Sequence, residues 1–162
     1  SPVHFLLAHG QAYTPKPRPP WLPLGAPHCC YGNALYLGCW FALHYVEGYG
    51  LIALPGERPT ALPHAWLTDG CGAALEVTTP GPWLAYWGMP FALERADDAT
   101  WWGDSCVLDD CVRGHPLLRQ VWVGDAPLPD YRPSPGLRRL LDLKRGGAPR
   151  HRAPHAAREG EA

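Results

Sequence analysis

No run of apolar residues in this sequence approaches the roughly 20 that a membrane-spanning helix requires. Neither sign of charge dominates, since the net is −1 over 162 residues, and that removes the basic surplus of a chain built to hold nucleic acid. No two cysteines stand at C-x2-C spacing, and Cys106-x4-Cys111 lacks a second half at finger-like spacing, so no zinc site is outlined. There is no internal repeat. No stretch joins a charged start, an apolar run and a small-residue cleavage site, as a signal peptide does. The chain begins at Ser1 rather than Met, so a leader removed ahead of it stays open. With no secretory signal, the six cysteines read as reduced thiols in a cytoplasmic setting rather than as three disulfides. No metal, cofactor, membrane or nucleic acid is expected.

What is present is apolar and heavily punctuated. Hydrophobic residues make up 46% of the chain, with eight Trp and seven Tyr, enough to fill one core. Twenty Pro and eighteen Gly imply many turns and few long helices. A single domain over 1–145 is expected. Residues 14–27 (TPKPRPPWLPLGAP) form a proline-rich arm laid across the surface by Trp21 and Leu22. Residues 146–162 have almost no large apolar side chain and read as a disordered tail. Charge divides in the same way. Residues 1–131 carry six Lys/Arg against twelve Asp/Glu, a net of −6, and 132–162 carry eight against three, a net of +5. That basic end is read as a solvated terminus.

Helical spacing of Ala34, Leu35, Leu37, Phe41 and Ala42 predicts a buried helix from Cys29 to about Leu43. VHFLLA near the start reads as an edge strand, and YVEGYGLIA (45–53) as a strand. Residues 55–63 (PGERPTALP) read as a loop. His64–Thr68 and Ala73–Thr78 read as a hairpin around Asp69-Gly70-Cys71-Gly72. Tyr86–Leu93 and Val121-Trp122-Val123 are further strand candidates, and Leu137–Lys144 is a short amphipathic helix. The fold class is therefore α+β, with a buried N-terminal helix packed on a small antiparallel sheet.

Three residues in this plan suit thiol chemistry. Cys30 opens the helix, where the partial positive charge and open amides favour a thiolate and can receive an oxyanion. His64 stands on the hairpin. With a three-residue loop, Glu76 lies directly opposite His64, close enough to orient the ring. Each of the three has a structural alternative, because helix cysteines and strand histidines more often belong to cores. Trp66 reads as packing behind His64, and Trp21, Trp83 and Trp87 as candidate walls of a cleft. Glu47 reads as either a supporting partner behind the site or the outward face of its strand, with the outward face favoured, and Asn33 as either lining the site or facing solvent.

The segments CYGNAL, YVEGYG, HAWL, ALEVT and YWGMPF, over about residues 29–92, resemble small bacterial and phage proteins with the pattern C-x-N-A, Y-V-E-G-Y, H-A-W and D-x-T. The order of Cys, His and acid resembles the wider transglutaminase-like, papain-like cysteine enzymes. The third position is usually Asp in that group; here it is Glu, one methylene longer. The resemblance implies a papain-like fold and a cysteine-dependent acyl-transfer enzyme: a hydrolase, amidase, peptidase or acyltransferase. It assigns Cys30 as nucleophile, His64 as base and Glu76 as orienting acid. Asn33, Trp66 and Trp87 are the expected substrate contacts, and the substrate is a peptide, amide or amine. The other reading is a noncatalytic adaptor or inhibitor on the same fold, binding a partner protein through a tryptophan-rich face.

Overall fold

The computed structural model describes residues 2–101, 106–108 and 135–145. Among the described residues nine elements follow one another: α1 (Pro2–His9), β1 (Gln11–Lys16), α2 (Cys30–Phe41), β2 (His44–Ile52), β3 (Thr60–Thr68), β4 (Ala73–Leu75), β5 (Trp83–Phe91), α3 (Leu93–Trp101) and α4 (Pro135–Arg145). The expected strand at 121–123 and the tail at 146–162 lie outside the described residues.

The chain is α+β, but the sheet is not a simple antiparallel one. Its five strands close into a barrel in the order β1-β4-β3-β2-β5. β2 is central and pairs antiparallel with β3 along its whole length, from His44↔Thr68 to Ile52↔Thr60, and with β5 on its other edge. β1 closes the ring by dividing its pairing. Gln11–Tyr13 run antiparallel to β5, and Thr14–Lys16 run parallel to β4. Pro15 is tolerated because this half of β1 has a strand on one side only, so a missing N–H breaks no second ladder.

Closure gives the barrel two apolar surfaces to fill. Inside lie Tyr13, Val46, Trp66, Ala74 and Tyr86, with Trp83 packed against them. Outside, α2 and α3 cover β2 and β3 through Leu35, Ala65, Leu67, Phe91, Ala96 and Ala99. This explains why His64–Thr68 are buried without alternation. It also corrects the reading of Glu47 as outward-facing: β2 is covered on both faces, and Glu47 is 1% exposed.

Other expectations shift for local reasons. VHFLLA is helical; α1 begins with Pro, which suits a first helical turn, and it buries Leu6. β3 begins at Thr60, inside the stretch read as a loop, because Thr60–Pro63 find partners in Tyr49–Ile52. The stretch 14–27 read as an irregular proline-rich arm is corrected at its start, where Thr14–Lys16 pair with β4; in the rest of it Leu22 is fully buried, while Trp21 remains 56% exposed and rests on Phe41. α3 overlaps the Tyr86–Leu93 strand candidate only at Leu93 and otherwise lies outside the elements expected from the sequence. α4 matches its expected position, buries Leu137 and sends Lys144 Nζ to the Cys39 carbonyl at 2.6 Å. That places a cation near the C-terminal end of α2, where the helix dipole favours it.

Candidate active site

The start of α2 is set by the backbone. His28 takes φ 61°, in the left-handed region, and turns the arm into the helix. Cys29 caps it without a side-chain hydrogen bond, and Asn33 N–H donates to the Cys29 carbonyl at 2.8 Å. Cys30 is thus the first helical residue, beside first-turn amides that no side chain caps. α2 ends at Ala42, also left-handed at φ 56°.

Asn33 is a brace. Its Oδ1 accepts from Ala26 N–H at 3.1 Å, and its Nδ2 donates to the Ala26 carbonyl at 2.7 Å and to Thr78 Oγ1 at 2.9 Å. One amide therefore ties the arm, the Cys30 helix and the segment after β4 together. Gly25 is required beneath it, since an added Cβ would lie 2.2 Å from Asn33 Cγ.

The hairpin register differs from the expected one. Leu67 pairs with Leu75, two residues off the register that set His64 opposite Glu76. The turn is wider because Gly70 and Gly72 both take positive φ, Thr68 Oγ1 accepts from Gly70 N–H, and Asp69 Oδ1 accepts from Cys71 N–H. β4 also stops at Leu75, so Glu76 lies just beyond the strand. A two-residue shift preserves the face, whereas a one-residue shift would reverse it. Glu76 therefore still reaches His64 as a diagonal neighbour.

His64 Nε2 and Glu76 Oε2 are 2.7 Å apart. The same oxygen accepts from Tyr86 OH at 2.9 Å, and Oε1 accepts from Thr78 N–H at 2.7 Å and Thr79 N–H at 2.9 Å. Four donors surround one carboxylate. Burial acts to raise its pKa, but the hydrogen bond and charge of His64, with the two amides, hold it below the usual carboxylate value. Burial likewise acts to lower the pKa of His64. Hydrogen bonds to the Cys30 side chain and to Glu76 outweigh this and push the ring up to about 9. With Nε2 committed to Glu76, Nδ1 is the nitrogen left for the thiol. The ring itself is held flat, stacked on Trp83 at 4.7 Å and on Tyr86 at 6.2 Å.

This coupling fixes the sign of a pH effect. A histidine raised from 6.5 to about 9 contributes stability that is fully present below pH 6.5 and lost as pH rises through 9. Urea unfolding across that window should show a decline on the order of 3 kcal/mol at most, and Glu76→Gln should flatten most of it. A flat wild-type profile would mean that His64 is not charge-paired.

The other expected contacts are placed differently. Trp66 is fully buried inside the barrel and packs on Tyr13 and Tyr86, with its Nε1 lacking a hydrogen-bond partner among the described residues. Trp87 braces α1 by donating from Nε1 to the Leu6 carbonyl at 2.9 Å. The tryptophan at the site is Trp83. Trp83, Tyr86 and Glu76 line an open cleft of about 460 Å³ together with Lys16, Arg18 and Leu24. The cleft meets the site at its acid end, and Cys30 is not on its lining. Trp21 and Trp87, the tryptophans more than a third exposed among the described residues, lie on separate elements.

Sequence reasoning did not find Thr78, Thr79 or Tyr86 as partners of Glu76. Two of the three contribute backbone amides, which leave no side-chain signature. No described group of three or more His, Cys, Asp or Glu is placed to hold a metal ion, and no described helix is long and apolar enough to cross a membrane. No family model, no curated protein and no solved structure matches this chain.

Proposed function

We propose that this chain is a cysteine-dependent acyl-transfer enzyme of the transglutaminase-like, papain-like kind, with Cys30, His64 and Glu76 as its triad. The observation that carries the reading is the 2.7 Å pairing of His64 with a carboxylate saturated by four donors, with the Cys30 side chain at an uncapped helix start close enough to raise the ring's pKa. His64, charged below about pH 9, already holds the proton taken from Cys30, so the sulfur attacks a carbonyl carbon as a thiolate. The oxyanion formed there meets the first-turn amides of α2. His64 then returns the proton to the departing group, leaving a thioester on Cys30. Water or an amine, deprotonated by the same ring, attacks the thioester and releases the thiol. Glu76 keeps the Nε2 proton toward itself and stabilises the imidazolium at each stage.

Labelling with iodoacetamide tests this within one molecule, because Cys29 and Cys71 are more exposed than Cys30. At mildly acidic pH, peptide mapping should place the first adduct on Cys30, at least about tenfold ahead of the exposed thiols. First modification at Cys29 or Cys71, with Cys30 no faster, would overturn the reading.

A further inference from the structure

Glu47 takes no part in the chain from Cys30 to Glu76, yet it is among the most deeply buried polar residues described, at 1% exposure. Its Oε1 accepts from Tyr45 OH at 2.5 Å and from Val107 N–H at 2.7 Å, and its Oε2 accepts from Leu108 N–H at 2.9 Å. The Cys106 side chain is a fourth hydrogen-bond partner. None of these partners is a cation, so the carboxylate is held by hydrogen bonds alone, a costly arrangement for a buried charge. Burial raises its pKa, and the four partners only limit the rise to about 7.

These bonds reach the thiol's own helix turn. Tyr31 follows Cys30 in the first turn of α2 and packs against the buried cluster that contains Val107 and Leu108, with the Cys106 side chain as the hydrogen-bond partner of its hydroxyl. Burial, with the charges of Cys106, Cys30 and Glu47, pushes the Tyr31 hydroxyl far above its ordinary value, so it stays a neutral donor. Val107 and Leu108 lie in the core between barrel and helices. A strap of three residues is therefore clamped at one end by the central strand and at the other by the turn that carries Cys30.

We propose that Glu47 is a positioning residue for the Cys30 thiol: it docks the strap 106–108, the strap holds Tyr31, and Tyr31 holds the first turn of α2 in place beside His64. The inference rests on the reading of Cys30 as nucleophile. The groups facing Glu47 are Tyr45 from its own strand and Cys106 from the strap, with Tyr31 and Cys30 beyond them on α2. Only the ionised carboxylate can accept from all four partners at once. A protonated one must place its own hydrogen, and one donor is displaced.

The test compares wild type with Tyr31→Phe and Glu47→Gln, and it reads two quantities. The first is the rate of iodoacetamide labelling at Cys30 from pH 5 to 9. The second is the titration midpoint of His64 by NMR, which the Cys30 contact raises. Tyr31→Phe leaves every Glu47 bond to the strap in place, so its melting temperature should change little. Its labelling should nonetheless slow about 10- to 100-fold, as expected for a displaced reacting group, and its His64 midpoint should fall. Glu47→Gln should show the same two changes and should also lose the rise in labelling near pH 7. If His64 titrates in both variants as it does in wild type, the proposal is overturned, whatever the labelling shows. Slow wild-type labelling with a lowered midpoint in both variants would instead overturn the catalytic reading and leave the positioning role standing.

Discussion

Glu76→Gln should leave the protein folded and lower turnover roughly 10³- to 10⁴-fold, the scale seen when an orienting carboxylate becomes an amide. The amide has no freedom to choose its orientation. Thr78 and Thr79 N–H both point at Oε1, so the side-chain oxygen of Gln must stay there. Its NH2 then occupies the Oε2 position, facing His64 Nε2 and Tyr86 OH. An NH2 can only donate to Nε2, which forces the ring proton onto Nδ1, toward Cys30. The ring can then no longer accept the thiol proton, and the charge that stabilised the imidazolium is gone. Labelling of Cys30 should slow with turnover, and the stability decline between pH 6.5 and 9 should largely vanish, since Glu76 helps to raise His64. Equal labelling rates in wild type and Glu76→Gln would remove Glu76 from the mechanism and leave at most a Cys-His pair.

Gly48→Ala should be the most damaging conservative change in the fold. Gly48 pairs with Gly88 across β2 and β5, and an added Cβ would lie 2.1 Å from the Trp87 carbonyl oxygen and 2.5 Å from Gly88 Cα. Both are backbone atoms, so no rotamer change relieves the contact, and the two strands must separate. A five-stranded ring has little slack, because moving β5 also disturbs its pairing with β1. We expect a loss on the order of 3 kcal/mol or more, read as a lower urea midpoint. Gly32→Ala is the matched control: nothing lies within 4 Å of its added Cβ, and alanine in a helix should gain about 0.5–1 kcal/mol. Similar effects at the two positions would mean that β2 and β5 are not pinched together at Gly48.

Much of the local plan was legible because it rests on short-range rules. The helix at Cys30–Phe41 follows from apolar spacing and the absence of proline, β2 from its β-branched and aromatic run, and α4 from its amphipathic pattern. The pairing of His64 with Glu76 was also reachable, although by a register the structure does not use. It survived because a shift of two residues keeps side chains on the same face, and a glutamate is long enough to span the diagonal.

What sequence alone determined, then, are the elements whose pattern repeats along the chain and the residue types able to carry thiol chemistry. Only the tertiary structure decided the rest, because it depends on neighbours remote in sequence. Closure of the barrel gave β2 and β3 two buried faces, and so turned Glu47 from a presumed surface residue into a buried clamp. It enclosed Trp66, turned Trp87 toward α1, and left Trp83 stacked on the histidine. The amides of Thr78 and Thr79 and the brace of Asn33 are fixed by where the chain passes, not by side-chain identity along it, and a one-dimensional pattern holds no record of that path.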